Sequence, residues 1–366
     1  MYNSQDIKNL LKDVIYPGFK KDIVSFDFVK DIIASGDTVD IRLEIPSSNP
    51  QIAQELKNSI EDKLKDIKNL NIQIQTPKLE ANKAGGQGSS RNLLPQVKKF
   101  IMVSSGKGGV GKSTTAVNLA ISFAKMGKKV GLLDADIYGP NIARMLGELN
   151  TKPEVVGTKL KPVLSHGVYI MSMALLIDEA QGLMWRGAMV MKAVEQLLSD
   201  VLWPELDILI LDMPPGTGDA QITSAQCIPI NAGVCVSTPQ VVAIDDSKRA
   251  LDMFTKLHIP IAGIIENMSG FLCPDNGKEY EIFGKGNAAL MAKEYKCELL
   301  AQIPIELSIR EGSDLGKPVS FYMPQSEGSK RYLKACEKIL DFLDKQDEVS
   351  NAEIQPVTNS KSACSN

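Results

Sequence analysis

Apolar residues return along this chain with two different periods. From position 98 to about 343, short uninterrupted apolar runs alternate with stretches in which apolar residues recur every three or four positions. The first pattern is that of buried strands, the second that of helices packed over them. Phe100–Val103, Val130–Leu133, Val168–Ala174, Ile208–Leu211, Gly233–Ser237, Ile261–Ile265 and Leu299–Ile303 read as strands. Strands alternating with helices predict an α/β fold, a mainly parallel doubly wound sheet with helices on both faces. Ligands of such sheets gather at the carboxyl ends of the strands. Residues 1–78 carry another pattern: a helical stripe over Ile7–Ile15, strands over Ile23–Val29 and Thr38–Ile45 with Ser35-Gly36-Asp37 between them, a Lys- and Glu-rich helix over Pro50–Leu70 and an alternating run over Asn71–Thr76. That order predicts a small α+β domain, αββαβ. Residues 79–97, rich in Gly, Ser, Asn and Gln, read as a flexible linker, and residues 346–366 as a disordered polar tail. The large domain then spans 98–345.

The first run of the large domain leads straight into chemistry. Phe100–Val103 is followed by SSGKGGVGKSTT, and a helical stripe begins at Lys112. Gly106, Gly111, Lys112 and Ser113 satisfy G-x-x-x-x-G-K-[ST] in the strand–loop–helix context that a P-loop requires. Glycines let backbone N–H groups turn inward around phosphate oxygens at the positive end of a helix. The candidate nucleotide-binding residues are therefore Gly106, Lys107, Gly108, Gly109, Val110, Gly111, Lys112, Ser113 and Thr114. Lys112 is placed for the β- and γ-phosphates of ATP, and the Ser113 hydroxyl for Mg²⁺. Lys107 is a second cation beside the phosphates, able to act in its own subunit, across an interface, or simply to be solvated.

Two further strands end in carboxylates. Val130–Leu133 is followed by Asp134-Ala135-Asp136, and Ile208–Leu211 by Asp212. Of the first pair, one carboxylate suits a Mg²⁺-bound water and the other the orientation of the attacking water; an N-cap to the next helix is the structural alternative for Asp136. Asp212 stands at the position of a Mg²⁺-shell carboxylate after an apolar strand. Met213-Pro214-Pro215-Gly216-Thr217-Gly218-Asp219 reads as a loop able to distinguish ATP from ADP.

Composition narrows the setting. The chain has 366 residues, 43% of them hydrophobic, and a net charge of −3. Near balance of charge argues against a nucleic-acid-binding surface over the whole chain, and no apolar run is long enough to cross a bilayer. No nucleic-acid or membrane partner is expected. Six irregularly spaced cysteines do not form a disulfide framework and suit a reducing cytoplasm.

The motifs resemble a known family. GKGGVGKS is similar to the deviant Walker A loop of the MinD/ParA/ArsA group, in which the lysine equivalent to Lys107 crosses a dimer interface. DADIYGPN, WRGAM, LDMPPGTGD, STPQ, IENMSGFLCP and QIPIELSIREGSDLGKPV occur in the order seen in the Mrp/ApbC/Nbp-type iron–sulfur cluster carrier ATPases, over roughly residues 98–340. The small domain, on its pattern and on VIYPGFKKDIVSFDFV, resembles one fused ahead of such carriers and found alone in cluster-assembly factors. The resemblance implies a homodimeric ATPase with Asp136 orienting water, Asp134 in the Mg²⁺ shell, Asn267 at the adenine, and a four-iron cluster bridging two subunits. It also implies iron–sulfur scaffold proteins and recipient apo-proteins as partners. Three positions depart from the family pattern: Ala188 replaces a proline, Asn141 a serine, and Cys273-Pro274-Asp275-Asn276 lacks the second cysteine of C-x-x-C. Pro46-Ser47-Ser48 occupies the place of a cysteine in the small domain, which then reads as an adaptor or dimerisation module. Cys273 is thus the candidate cluster ligand, with Asp275, a small thiol or Cys364 filling other iron sites. Cys235 and Cys336 read as buried, and Cys227 and Cys297 as poor ligand candidates. A MinD/ParA-type positioning ATPase, and an adaptor that has lost its cluster, are the rival functions.

Overall fold

The computed structural model describes residues 3–14, 22–25, 28–35, 38–44, 50–65, 67, 69–75, 92–176 and 187–353. Pro46, Ser47, Ser48, Trp185, Arg186, Cys364 and most of the expected linker and small-domain motif lie outside them. The chain divides into two compact units, Met1–Gly88 and Ser89–Asn366.

In the first unit the order is α1 (Ser4–Leu11), β1 (Val29–Ser35), β2 (Thr38–Glu44), α2 (Pro50–Lys63) and β3 (Asn69–Gln75). The αββαβ order is that expected, with shifted boundaries. Asn3 opens α1 with a reciprocal cap, its side chain accepting from Asp6 N at 2.9 Å while Asp6 accepts from Asn3 N at 3.1 Å. The strand expected over Ile23–Val29 is not one. Asp22 Oδ1 accepts from the N–H groups of Val24 and Ser25, which folds Ile23–Ser25 into a turn. Ile23 is fully buried from that turn, so its apolar side chain serves the core without a strand, and the strand begins at Val29. The second helix stops at Lys63, ahead of the expected Leu70. β2 pairs antiparallel with β1 and parallel with β3.

The second unit runs through β4 (Val97–Ser104), α3 (Lys112–Lys125), β5 (Val130–Asp134), α4 (Ile142–Met145), the short strands β6 (Val155–Val156), β7 (Lys159–Leu160) and β8 (Val163–Ser165), β9 (Val168–Ser172), α5 (Gly187–Ser199) and β10 (Leu206–Asp212). It continues with α6 (Asp219–Cys227), β11 (Ala232–Ser237), α7 (Val241–Lys256), β12 (Ile261–Leu272), β13 (Glu279–Tyr280), α8 (Asn287–Glu294), β14 (Glu298–Ile305), α9 (Leu307–Asp314), α10 (Val319–Tyr322) and α11 (Glu327–Glu353). Nine described strands form one sheet in the order β13-β12-β11-β4-β10-β5-β9-β8, with β14 on β12. The pairings among β4, β5, β9, β10, β11, β12 and β14 are parallel; β8 and β13 join antiparallel at the edges. The fold is therefore the α/β one expected: a mainly parallel sheet of the P-loop NTPase type, preceded by a small α/β domain.

Three boundaries differ from expectation for identifiable reasons. β9 ends at Ser172, whose hydroxyl accepts from Ala174 N and starts a 3₁₀ turn over Met173–Leu175. β12 runs past Ile265 to Leu272, because buried Glu266, Asn267 and Ser269 interrupt the apolar run without interrupting the strand. α11 continues to Glu353, into the stretch expected as a tail; Asp347 on it pairs with Lys99 on β4.

Candidate functional site

Register brings the chemistry together. β10 lies between β4 and β5, and Asp212 pairs with Val103 on one side and Asp134 on the other. The loop after β4 and the two carboxylates therefore share one end of the sheet. Gly111 begins α3 with φ +81°, and a Cβ there would stand 2.1 Å from Asn267 Nδ2, so both backbone and space demand glycine. At Gly106 a Cβ would stand 2.0 Å from the Asp246 carbonyl carbon of α7. The loop is thus wedged between α7 and β12.

Lys107, Gly108, Gly109, Gly111, Lys112, Ser113 and Thr114 line a cavity of about 200 Å³, joined by Ser105, Asp136, Asn141, Met145 and Pro215. Gly106 and Val110 do not line it. Lys112 is 6% exposed and donates to Asp212 Oδ1 at 2.6 Å and to Ser113 Oγ at 3.2 Å. Asp136 Oδ2 is 4.0 Å from the same ammonium, and its Oδ1 accepts from Gly139 N at 3.3 Å. Burial raises the Asp136 carboxyl above its ordinary pKa, against the pull of Lys112. Lys107 lies half-buried on the rim, its ammonium without a partner among the described residues.

Asp134 is fully buried. Its Oδ2 accepts from Ser172 Oγ at 2.9 Å and Ile142 N at 3.2 Å, and its Oδ1 from Asp136 N at 3.2 Å. Burial, reinforced by the charge of Asp212, pushes its carboxyl up to about 7. Asp212 Oδ2, by contrast, is buried with no hydrogen-bond partner. An orphaned oxygen on a carboxylate that shares the Lys112 ammonium with the Ser113 hydroxyl makes the two residues a donor set that fits a divalent cation.

The Pro214–Gly218 loop is held by a residue that sequence reasoning missed. Gln221 on α6 is fully buried; its Nε2 donates to Pro214 O at 2.9 Å and Gly216 O at 3.0 Å, and its Oε1 accepts from Gly218 N at 3.0 Å. Gly216 N donates to Ser105 O at 2.8 Å, which ties this loop to the phosphate loop. A glutamine within a helix gives no sequence signal. Asn267 lies on β12, 6% exposed, and donates from Nδ2 to Val110 O at 2.9 Å, so it grips the back of the loop.

Cys273 is half-buried just after β12, beside a cavity of about 390 Å³ that Glu306, Ser308, Ser326 and Glu327 also line. Cys227, Cys235 and Cys336 are buried, and burial pushes the Cys235 thiol up to about 12 and Cys297 to about 11. These are poor thiolate sources. Among the described residues no group of three or more His, Cys, Asp or Glu is arranged to hold a metal ion.

A glycine loop at the head of a helix, a buried lysine where the two meet and a strand-end carboxylate paired with it define a P-loop NTPase. Comparison with known proteins narrows the class. Residues 96–340 match the model of the NUBPL iron-transfer P-loop NTPase family, and residues 4–73 that of the iron–sulfur cluster assembly protein family. The chain is 48% identical over 364 residues to the iron–sulfur cluster carrier protein of Helicobacter pylori, covering 97% of this chain and 98% of that one. It is 40% identical to the carrier protein of Escherichia coli K12, covering 95% and 94%. A nucleotide-binding protein of Archaeoglobus fulgidus, solved with ADP, superposes with a TM-score of 0.55 at 38% identity, over 64% of this chain and 96% of its own. The cell division ATPase MinD of Pyrococcus furiosus shares the fold, with a TM-score of 0.50 at 24% identity over 66% of this chain and 98% of its own. This chain belongs to the Mrp/ApbC-type iron–sulfur cluster carrier proteins, ParA/MinD-like P-loop NTPases with an N-terminal iron–sulfur assembly domain.

Proposed function

We propose that this protein binds and hydrolyses ATP, holds an iron–sulfur cluster transiently at Cys273 across a homodimer, and passes it to apo-proteins. One observation carries the link between the two activities. β12 touches the phosphate loop through Asn267 and Val110 O, and the same strand ends at Leu272, directly before Cys273.

In this reading Lys112 supplies positive charge to the β- and γ-phosphates, and the backbone N–H groups of the loop cradle them. Asp136, held near Lys112, orients the attacking water, a task of position more than of basicity. Mg²⁺ would be held by Ser113 and Asp212 and would neutralise phosphate charge as it develops. Asp134, which the family resemblance puts in the Mg²⁺ shell, stands behind them, its oxygens accepting from Ser172 on β9, Ile142 N on α4 and Asp136 N. Lys107, without a partner in its own chain among the described residues, acts on the nucleotide of a second subunit. Asn267 carries the adenine contact that the family resemblance implies.

In a two-fold dimer, residues near the axis meet their own copies, so two Cys273 thiolates face one cluster. Asp275, a small thiol or Cys364 completes the iron sites. Carboxylate is a poorer iron–sulfur ligand than thiolate, so the cluster is labile, which suits a carrier. Scaffold proteins load it and recipient apo-proteins unload it. No described helix is long and apolar enough to cross a membrane; the cysteines suit a reducing compartment, and the cytoplasm is the proposed site of action. Anaerobic reconstitution with iron and sulfide tests the reading. The parent protein should gain visible absorption and bound iron, and Cys273→Ala should lose most of both. A parent that binds no more iron than Cys273→Ala replaces the carrier with an ATP-dependent adaptor, the reading that Asn276 in place of a second cysteine favours.

A further inference from the structure

The hairpin that carries Cys273 is joined to its domain by few bonds. β12 and β13 pair at Phe271 with Tyr280 and Leu272 with Glu279. Other bonds run within the hairpin: Cys273 N donates to Lys278 O and Gly277 N to Cys273 O, each at 2.9 Å, and Asn276 Nδ2 to Tyr280 Oη at 3.2 Å. Pro274 to Tyr280 are exposed. A cavity opens on each side, one of about 560 Å³ with Ser269, Glu279, Lys285 and Gln302 in its wall, the other the 390 Å³ space beside Cys273. Glu327 borders both.

Arg331 of α11 spans this gap. Its Nε donates to Glu327 Oε1 at 2.8 Å, its Nη1 to Gln302 O on β14 at 2.7 Å, and its Nη2 to Glu279 Oε2 on β13 at 3.3 Å. The bond to Glu327, one turn away on the same helix, is an ordinary helix-surface pair. The bond to Glu279 is different. Among the described residues it is the one side-chain hydrogen bond from residues 273–280 to the body of the domain. Glu279 stands opposite Leu272, the neighbour of Cys273. Gly270 makes room for it, since a Cβ there would lie 2.7 Å from Glu279 Cγ. A guanidinium presents several donors in a rigid plane and so meets three acceptors on three elements at once, which a single ammonium on a flexible stem does less well.

We propose that Arg331 is a positioning residue for the cluster site: it clasps the Cys273 hairpin to α11 and β14, and so sets how firmly Cys273 is held for cluster binding and release. The proposal rests on the reading of Cys273 as a cluster ligand. Glu279 is the hairpin's half of the clasp, and loosening either half leaves the two-residue ladder as the hinge.

The full-length protein without cluster tests the clasp first. Hydrogen exchange of residues 273–280 and alkylation of Cys273, followed on its own peptide by mass spectrometry, should both accelerate about 3- to 10-fold in Glu279→Gln and in Arg331→Gln. Arg331→Lys should recover part of the loss. The double variant should be no faster than Arg331→Gln, because both changes break one bond. Glu281→Gln, whose partner is Lys285 in the following turn, should leave both rates unchanged. In reconstituted protein, Glu279→Gln and Arg331→Gln should shorten the half-life of the cluster by a similar factor, with the melting temperature and ATP binding of Glu279→Gln close to the parent. Parent-like exchange and alkylation in both variants overturn the clasp. A loosened hairpin with parent-like cluster half-life, while Cys273→Ala still loses its cluster, overturns the positioning role. Full iron content in Cys273→Ala instead marks the failure of the ligand reading on which the proposal rests, and it leaves the exchange result standing.

Discussion

The stretch of β12 from Asn267 to the Cys273 hairpin is built in opposite ways at its two ends. At the nucleotide end, Asn267 is buried against the phosphate loop, and Lys112 at the head of α3 meets Asp134 and Asp212 at two adjacent strand ends with almost no exposure to water. Several parts of it are held by more than one bond: Asp134 by three donors, the Pro214–Gly218 loop by three bonds of one glutamine. At the cysteine end, an exposed hairpin stands on a two-residue ladder and one arginine. Phosphoryl transfer depends on position, and a packed, over-determined site supplies it. A cargo has to enter and leave, and a lightly tethered loop permits that at low cost in opening free energy. The contrast gives a physical reason for the proposed cluster site to stand apart from the phosphate loop along one strand.

If the nucleotide end is as specified as its contacts imply, single changes there should be severe. Lys112→Ala removes the cation beside Asp212 and should lower ATP hydrolysis by about a thousandfold or more, read as phosphate release alongside nucleotide binding. Parent-like turnover would mean that catalysis lies elsewhere. Asp136→Asn should keep nucleotide binding and lose about a hundredfold in turnover, since water is misplaced while the cradle is intact. Mixed with Lys107→Ala, it should regain some activity in heterodimers if Lys107 acts across the interface; heterodimers that form without rescue count against that.

Gln221→Leu tests the loop between these groups. Leaving Pro214 O, Gly216 O and Gly218 N without their partner should cost about 1–3 kcal/mol in unfolding experiments and lower turnover about tenfold. Unchanged turnover at lowered stability would make Gln221 structural only. At the cysteine end the expected effects are gentler. Asn276→Cys restores the family spacing and should lengthen the cluster half-life about severalfold, measured by loss of visible absorption, because thiolate replaces a weaker ligand. A shorter half-life would show that the hairpin does not present position 276 to the iron.

A further effect is one of pH. The Asp134 carboxyl sits at about 7 in the folded chain against the ordinary 3.8 of an unfolded one, so between those values the folded state holds the extra proton. Stability contributed by this group is therefore full below 3.8 and lost as pH rises through about 7. In Mg²⁺-free buffer the difference in urea midpoint between parent and Asp134→Asn should shift against the parent over that range. A pH-independent difference would mean that Asp134 titrates normally.

The strand–helix alternation, the phosphate loop and the strand-end carboxylates were all legible in the sequence. Each is a local signal: an apolar period, a glycine spacing, or an acid after an apolar run. The strand expected at Ile23 failed because an apolar residue reports burial, and a turn capped by Asp22 buries it as well as a strand does. β12 was underestimated because Glu266, Asn267 and Ser269 are polar yet buried, and Glu266 and Asn267 meet partners far away in sequence, Gln302 and Val110.

What the sequence determined by itself is therefore the set of elements and the chemistry at their ends, because both are written within a few consecutive residues. What only the tertiary structure decided is which polar groups meet. Lys112 reaches Asp212 across a separation of 100 residues, and Arg331 reaches Glu279 across 52. Gln221 grips a loop from within a helix whose pattern gives it no distinction. Such pairings follow from sheet order and register, which bring distant ends side by side, and no periodicity along the chain encodes them.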